Sequence, residues 1–286
     1  MSEEHSYSYR MTSEQYFVLH AMMRLPAVMG YTDPYRGWLR SELEERTQQV
    51  IQQLEKKGWI SRSSSNGEWE IDSLLAAILA ACASDTAVQL YKQRQHEEGY
   101  EGYLYITPHL VVERIEELEQ NTTMIIVSPL ANAALSRDVL RRFFPVLHED
   151  QSAQITQFPR ISLPVATWDE WLRLKEEDRH AHIQPLNKQG WPDGLQAALE
   201  VPQSSSILAT AKSYRRYHGV WQSEQCGYML ANKMLLNIWN SPTSLLITPY
   251  NQVRTQAFVD RLFAEAIMQA EEGSHGQDLS NAPTVG

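Results

Sequence analysis

The chain has 286 residues, and its 25 Lys and Arg residues against 35 Asp and Glu residues give a formal net charge of −10 at pH 7. Hydrophobic residues make up 43% of the sequence, enough to bury a sizeable core in one large domain or two smaller ones. A net negative surface repels nucleic-acid phosphates and anionic lipids, which argues against general nucleic-acid or membrane-surface binding.

The sequence shows no targeting or membrane signal. The first ten residues are polar and acidic, without the charged-then-apolar order of a signal peptide. The longest apolar run, 74–83, has ten residues, whereas a helix needs about 20 to cross a bilayer. Cys82 and Cys226, the two cysteines of the chain, form no CxxC motif. Two free, buried thiols are typical of a reducing cytosol, and a disulfide between them is the alternative. We therefore expect a cytoplasmic protein.

The N-terminal region is predicted to be helical, with a wing-like hairpin. Thr12 and Gln15 form a capping-box pattern that begins the first helix, and Gly58 ends the second. The predicted elements are helices over 12–24, 39–57 and 72–83 and strands at 59–60 and 69–71. Helices followed by such a hairpin resemble a winged-helix unit.

From residue 88 onward the hydrophobic pattern changes to the alternation that is typical of strands. The predicted elements are strands at 88–90, 103–105, 124–127 and 161–163, a helix or ordered segment over 110–119 and a helix over 130–144. The second half repeats this order. It has a helix after Thr167, a short helix at 195–199, a strand at 207–211, a turn at Gly219, more strand, a helical segment, a strand at 245–247 and a closing helix over 252–270.

A shift of 120 residues aligns 87–143 with 207–263 without a gap, so that Pro129 meets Pro249 and Phe143 meets Phe263. Identity is near chance, so the alternative that any two α/β segments align this well stays open. The shift predicts an α/β (α+β) fold in which a quasi-twofold pair of related halves shares a central, mostly antiparallel sheet, flanked by helical bundles. The predicted boundaries are 1–11 for a disordered N-terminus, 12–150 and 151–270 for the two halves, and 271–286 for a disordered tail.

The sequence lacks the common catalytic motifs. The chain contains no GxGxxG, GxxxxGK[ST], HExxH, GxSxG or CxxC motif, which removes the commonest nucleotide-binding, zinc-protease and hydrolase interpretations. His180 and His182 form an H-x-H pair that could ligate a metal, but no third ligand follows at a familiar spacing, so a solvated helix end is favoured. We predict no enzyme activity, no cofactor and no metal site.

Two further patterns have nucleic-acid interpretations. Residues 212–218, KSYRRYH, interleave basic and aromatic side chains as single-strand binding platforms do, but an exposed antiparallel hairpin explains them as well and fits the acidic chain better. A recognition helix should carry several outward basic residues. The charges of the second helix of the wing-like region are instead balanced, with four acidic residues against four basic ones: Glu42, Glu44, Glu45 and Glu55, and Arg40, Arg46, Lys56 and Lys57. A DNA-binding regulator with a winged helix remains the alternative function.

Three groups of residues carry a family resemblance. They are Gly58-Trp59-Ile60 with Asn66-Gly67, Ile71 and the apolar helix at 74–79; Ile161 to Val165 before the Trp168 helix; and Leu246 to Pro249 before a helix with Phe258, Val259, Leu262 and Phe263. Together they resemble the EspG family, the cytosolic chaperones of ESX (type VII) secretion, over about residues 12 to 270. That family has a central sheet flanked by two helical bundles, in agreement with the 120-residue shift.

The resemblance implies a protein without enzyme activity or cofactor that binds the exposed apolar tip of a helical ESX-type substrate, such as a PE–PPE pair. It transfers no contact residue, because the family lacks a strict binding motif. We predict that the aromatic residues Tyr217, Trp221, Tyr228 and Trp239 of the second half supply the contact surface. Tyr217 and Trp221 flank the Gly219 turn, where side chains can project, although core or hairpin packing explains the four residues equally well.

Overall fold

The structure is a computed structural model. It describes residues 7–65, 67–94, 100–119, 122–130, 136–137, 140–141, 143–145, 160–166, 170, 207–218, 220–231, 234–240 and 243–276. Within these ranges the chain has an α+β fold with twelve strands and four helices. None of the helices among the described residues is long and apolar enough to cross a membrane.

Four helices and twelve strands follow one another along the described chain. The helices are α1 Ser13–Met22, α2 Arg40–Lys56, α3 Ser73–Cys82 and α4 Gln252–Gly276. The strands are β1 Tyr9–Thr12, β2 Ile60–Arg62, β3 Trp69–Ile71, β4 Thr86–Arg94, β5 Tyr100–Ile106, β6 Val111–Glu119, β7 Thr122–Leu130, β8 Ile161–Pro164, β9 Ile207–Tyr217, β10 Val220–Ala231, β11 Met234–Asn240 and β12 Ser244–Pro249.

Ten strands form one sheet, in the order β1-β7-β6-β5-β4-β9-β10-β11-β12-β8, and β2 pairs with β3 in a separate two-stranded sheet. Every strand pair whose register is described is antiparallel. The order contains two four-stranded meanders, β4–β7 and β9–β12, and each has one strand from elsewhere in the chain beside its last strand. The predicted α+β class and mostly antiparallel sheet are confirmed.

The 120-residue shift coincides with the observed strands. Shifted by 120, β5 becomes 220–226, and β10 begins at Val220. The other three strands of the first meander, β4, β6 and β7, become 206–214, 231–239 and 242–250, which overlap β9, β11 and β12. All four shifted strands overlap their counterparts in order, although the lengths differ, so the repeat proposed from sequence follows the strand order of the two meanders.

Two helix predictions in this part of the chain are wrong, and they fall on equivalent strands. Segment 110–119, predicted as a helix or ordered segment, is ordered as the strand β6 and not as a helix, and the helical segment predicted before Leu245 is the strand β11. β6 is paired on both sides, with β5 and with β7. Both strands have consecutive buried residues, Val111-Val112 in β6 and 236–239 in β11, because both faces of the sheet are covered there, so the period-2 pattern is lost.

The chain divides into two compact units. One contains the described residues within Met1–Ala87, Gly102–Ser136 and from Ala266 onward, and the other those within Val88–Glu101 and Arg137–Glu265. In the first unit the apolar sides of α1 and α3 form one core with β7, with Leu19, Leu75 and Ile125 fully buried.

The predicted capping box is present at the start of α1. The Gln15 backbone N–H donates to Thr12 Oγ1, and the Thr12 backbone N–H donates to the side-chain oxygen Oε1 of Gln15.

Gly58 ends α2 as predicted. Its N–H donates to the Glu55 carbonyl at 2.9 Å, and the Trp59 N–H donates to the Leu54 carbonyl at 3.1 Å. These two bonds are the pair that defines a Schellman motif, and they require a left-handed residue, which Gly58 provides with φ +71°. The motif turns the chain into β2.

In the second unit, α4 packs on the sheet through Phe258, Val259, Leu262 and Phe263, each 1% exposed or less. A buried amide fixes the start of this helix. Asn237 Nδ2 donates to Thr255 Oγ1 at 3.0 Å, and Asn237 Oδ1 accepts the Asn251 N–H at 2.6 Å. The closing helix therefore begins at Gln252 as predicted, and the structure continues it to Gly276.

Candidate protein-binding surfaces

The β9–β10 hairpin carries two of the predicted contact residues at its end. Tyr217 pairs with Val220 in the antiparallel register, and Trp221 pairs with Arg216. Trp221 is half-buried, with the Arg216 guanidinium carbon 5.3 Å from its ring centroid, and Val220 is 65% exposed. The side chain of Tyr217 and the turn residue Gly219 lie outside the described part of the chain. The hairpin end thus carries an exposed valine on one face of the sheet and a half-buried tryptophan on the other.

Tyr228 and Trp239 lie inside the second unit, 4% and 5% exposed. Tyr228 packs against the rings of Phe143 and Phe144, with centroid separations of 6.5 and 6.2 Å. Trp239 meets the Phe258 ring at 6.1 Å and has the Arg254 guanidinium carbon 4.1 Å from its ring centroid. At this burial the two side chains offer almost no area to a partner.

The structure does not bring the four aromatic residues to one face. Along β10 the register with β9 is regular from Val220 to Leu230, so alternate residues point to opposite faces of the sheet. Trp221 and Tyr228 are seven positions apart and therefore lie on opposite faces. Trp239 is paired with Cys226, which shares the face of Tyr228. Trp221 is thus separated from the other two residues whose side chains are described.

The basic and aromatic residues of β9 make contacts within the second unit. Lys212 Nζ lies 5.2 Å from the Tyr214 ring centroid, and the Tyr214 hydroxyl donates to Gln89 Oε1 at 3.0 Å. Arg215 donates to the backbone carbonyl of Arg261, whose own guanidinium pairs with Glu224. These contacts fit the hairpin interpretation of residues 212–218, in which the charges belong to the surface of the sheet.

The wing-like hairpin exists, as the two-stranded β2–β3 sheet, and its cations stack on tryptophan rings. Lys57 Nζ lies 4.2 Å from the Trp59 ring centroid, and the Arg62 guanidinium carbon lies 3.9 Å from that of Trp69. Lys57 also donates to Gln15 Oε1 at 3.0 Å, so it is tied to α1. These two cations are held against the fold itself.

A buried arginine that the sequence analysis missed lies beneath the loop between α1 and α2. Arg114 of β6 is fully buried, and its guanidinium carbon lies 4.9 to 6.0 Å from four tyrosine ring centroids, those of Tyr16, Tyr31, Tyr103 and Tyr105. Its Nη2 donates to the Gly30 carbonyl at 2.6 Å. Its Nη1 lies 3.1 Å from Glu116 Oε1, and Glu116 is half-exposed.

Further contacts fix the same loop to the first unit. The Tyr105 hydroxyl donates to the Met29 carbonyl at 2.8 Å, and the Tyr31 hydroxyl donates to the Ser13 carbonyl at 2.7 Å. His20 lies next to Tyr16, with ring centroids 4.3 Å apart, and neither of its nitrogens has a hydrogen-bond partner. Burial, and after it the positive charge of Arg114, lower the pKa of His20 to about 4. The neutral histidine therefore belongs to a structural centre that holds the loop.

No metal site is found among the described residues, which contain no group of three His, Cys, Asp or Glu side chains placed to share an ion. The His180–His182 pair lies in 171–200, outside the described ranges. Cys82 and Cys226 are free, and burial raises the pKa of each thiol to about 12. The sulfur atoms are therefore protonated, a form that neither binds metal nor attacks as a nucleophile.

The fold and these surfaces define an α+β protein built on a ten-stranded antiparallel sheet. No family model matches the sequence, and no curated protein matches it either. Among solved structures, a chain with 11% sequence identity matches 91% of this chain and 96% of its own length, with a TM-score of 0.53. It belongs to the structure of the Mycobacterium tuberculosis type VII secretion system chaperone EspG5 in complex with a PE25-PPE41 dimer. The chain therefore has an EspG-like fold, as the sequence resemblance predicted.

Proposed function

We propose that the protein is a non-enzymatic chaperone of the cytoplasm that holds a helical type VII secretion substrate, of the PE–PPE kind, in soluble form. One observation carries the proposal, the likeness of fold to EspG5. Because it extends over 91% of this chain and 96% of the other, it involves the whole architecture and not a common submotif. The partner in that structure is a PE25-PPE41 dimer, and it gives the class of client that we propose here.

The properties of the chain fit a binding protein. Holding a client needs exposed apolar side chains on a rigid support, and it needs no convergent acid and base groups. Val220, which is 65% exposed, and the half-buried Trp221 place apolar side chains on the two faces of the sheet at the end of the β9–β10 hairpin. We propose that Tyr217 and Trp221 contact the client there, and that Tyr228 and Trp239, buried at 4% and 5%, act by supporting the sheet that carries the hairpin.

Co-expression with a PE–PPE pair from the same genome tests the function. We expect the pair to stay in solution and to co-elute with this protein in a stoichiometric complex on size-exclusion chromatography with light scattering. A pair that precipitates equally with and without the protein would overturn the proposal. Salt-sensitive retention of DNA by the purified protein would instead favour the winged-helix alternative.

The Trp221→Ala variant tests the contact surface, because Trp221 is half-buried at the hairpin end. We expect it to weaken capture of the PE–PPE pair about tenfold or more, with thermal stability nearly unchanged. Trp69→Ala is the matched control, since Trp69 is also a half-buried strand tryptophan with an arginine on its ring. If Trp221→Ala unfolds the protein, or both variants bind alike, the hairpin end is not the contact surface.

A further inference from the structure

The loop between α1 and α2, residues 23–39, is attached to the sheet through side chains. Within the described chain, its backbone N–H groups donate to backbone carbonyls only in the loop itself or in α1. The sheet holds the loop through two donors instead. Tyr105 donates to the Met29 carbonyl at 2.8 Å, and Arg114 donates to the Gly30 carbonyl at 2.6 Å. The loop can therefore leave the sheet without breaking a strand pair or a helix.

The residue that leads from α1 into this loop has a strained backbone. Arg24 has φ +54°, in the left-handed region that favours glycine. It belongs to a Schellman motif at the end of α1, where its own N–H donates to the Ala21 carbonyl at 3.1 Å. The Leu25 N–H donates to the His20 carbonyl, also at 3.1 Å. Such a conformation persists only while the surrounding structure enforces it, so release of the loop relieves strain.

His20, in the last turn of α1, lies in surroundings that do not accommodate a charged imidazole. The residue is 8% exposed, and neither ring nitrogen has a hydrogen-bond partner in the described chain. A protonated imidazole has two N–H donors, and burying them without acceptors is costly. The charge that His20 meets in the fold is that of Arg114, which is fully buried and has the same sign. Protonation therefore favours a rearrangement that lets water reach the ring.

The hydroxyl and thiol groups of this cluster do not compensate a second positive charge. The titratable and charged groups of the cluster come from five elements: His20 and Tyr16 of α1, Tyr31 and Asp33 of the loop, Cys82 of α3, Tyr103 and Tyr105 of β5, and Arg114 and Glu116 of β6. Burial raises the pKa of the Cys82 thiol to about 12. Burial also raises the pKa of Tyr16, Tyr31 and Tyr105 above the usual range, so these hydroxyls stay neutral.

The two carboxylates of the cluster already have partners. Asp33 Oδ1 accepts the Tyr35 N–H at 2.8 Å. Glu116 Oε1 lies 3.1 Å from Arg114 Nη1, and the Glu116 side chain is 44% exposed. Neither carboxylate is bonded to His20, so a protonated His20 is a second cation without an acceptor in the closed structure.

We propose that the α1–α2 loop is an acid-sensitive latch, in which protonation of His20 releases residues 24–31 from Tyr105 and Arg114. In the closed form the imidazole is neutral, and the two side chains of the sheet hold the loop carbonyls. In the open form water hydrates the imidazolium, and Val28 leaves the core against which it packs. The latch goes beyond the proposed function, because it belongs to the free chain and involves no client.

The size of the response follows from the two states of His20. Its pKa is about 4 in the closed form, and its ordinary value of 6.5 applies when the ring is hydrated in the open form. The closed form is therefore fully favoured above about pH 6.5, and the open form gains as the pH falls toward 4. From pH 7 to pH 5 the ratio of open to closed loops should rise about twentyfold.

Hydrogen exchange measured by mass spectrometry on the full chain tests the latch, with rates corrected for intrinsic exchange at each pH. We expect the protection of residues 24–31 to fall about twentyfold between pH 7 and pH 5. Residues 252–265 of α4, which lie in the second unit, are the internal reference and should keep their protection. An unchanged loop, or an equal loss in the loop and the reference, overturns the proposal.

Three variants separate the proton from the latch contacts. His20→Phe keeps an aromatic ring but takes up no proton, so it should abolish the response to pH. His109→Phe is the matched control, because His109 is exposed, and it should respond as the wild type does. Tyr105→Phe removes the bond to the Met29 carbonyl, and it should raise loop opening about fivefold at both pH values and keep the response. A response that persists in His20→Phe, or a loop that Tyr105→Phe leaves equally protected, refutes the latch. Should His20→Phe fail to fold, the wild-type and Tyr105→Phe measurements still decide.

Discussion

Gly30 and Gly58 offer a matched pair of substitutions, because both have φ +71° and they differ only in what surrounds them. A Cβ at Gly58 meets nothing within 4 Å, whereas a Cβ at Gly30 would lie 2.1 Å from Cζ of Tyr103. Alanine at either position adopts the same left-handed conformation, which costs about 1 kcal/mol. Any additional loss of unfolding free energy in Gly30→Ala therefore measures the cost of displacing the Tyr103 ring.

The size of that loss follows from what the ring contacts. Tyr103 is one of the four tyrosines around Arg114, and it is the closest of them, with the guanidinium carbon 4.9 Å from its centroid. A desolvated cation–π contact contributes about 2 kcal/mol, and moving the ring away from a fully buried cation forfeits most of it. We expect Gly58→Ala to lower the free energy of unfolding by about 1 kcal/mol and Gly30→Ala to lower it by about 3 kcal/mol.

Urea unfolding followed by far-UV circular dichroism measures both values, and hydrogen exchange on peptides from β5 and β6 shows whether the loss is local to this cluster. A double-mutant cycle with Tyr103→Ala isolates the clash, because without the ring Gly30→Ala should cost no more than Gly58→Ala. Equal losses for the two glycines in the wild-type background, or an unchanged loss at Gly30 when Tyr103 is absent, would refute the account of how Arg114 is enclosed.

The remaining predictions concern the buried histidine and the thiols. The pKa of His20 falls to about 4 in the folded state from 6.5, so its contribution to stability is complete above about pH 6.5 and is lost as the pH falls toward 4. Between pH 7 and pH 5 the free energy of unfolding should drop by about 2 kcal/mol through this residue, and His20→Phe should remove that part of the dependence; an unchanged pH profile contradicts it. Cys82 and Cys226, whose pKa values burial raises to about 12, should react with a thiol reagent at pH 8 only after unfolding in urea, and rapid labelling of the folded protein would be inconsistent with their burial.

The parts of the fold that could be predicted from sequence are those governed by local chemistry. The capping box at Thr12, the glycine that ends α2 and the apolar run of α3 all lie where the residues required them. The strands β6 and β11 could not be predicted, because consecutive buried residues at Val111-Val112 and at 236–239 interrupt the alternation that marks a strand. The spacing of Val111, Val112, Ile115 and Leu118 even imitates one face of a helix, and only the pairing with β5 and β7 overrides it.

The candidate surfaces were less accessible to prediction from sequence. Tyr228 and Trp239 were chosen because they are large and aromatic, which is equally true of core residues, and they lie at 4% and 5% exposure. Arg114 gave no signal, since an arginine in an acidic segment is expected on the surface. Its burial depends on tyrosines from α1, the following loop and β5, which come together only in the folded chain.

The exposed apolar residues of the described chain differ in how firmly their neighbours hold them. Val253 is 80% exposed and Leu118 is 75% exposed, more than Trp38 or Leu39, yet single exposed residues are normal on protein surfaces. Trp38 and Leu39 differ because they are adjacent, the Tyr35 ring packs against Trp38 and the Leu39 N–H donates to Glu42. An exposed apolar pair that its neighbours hold in place is better prepared for a partner than an isolated exposed residue, because little ordering then opposes binding.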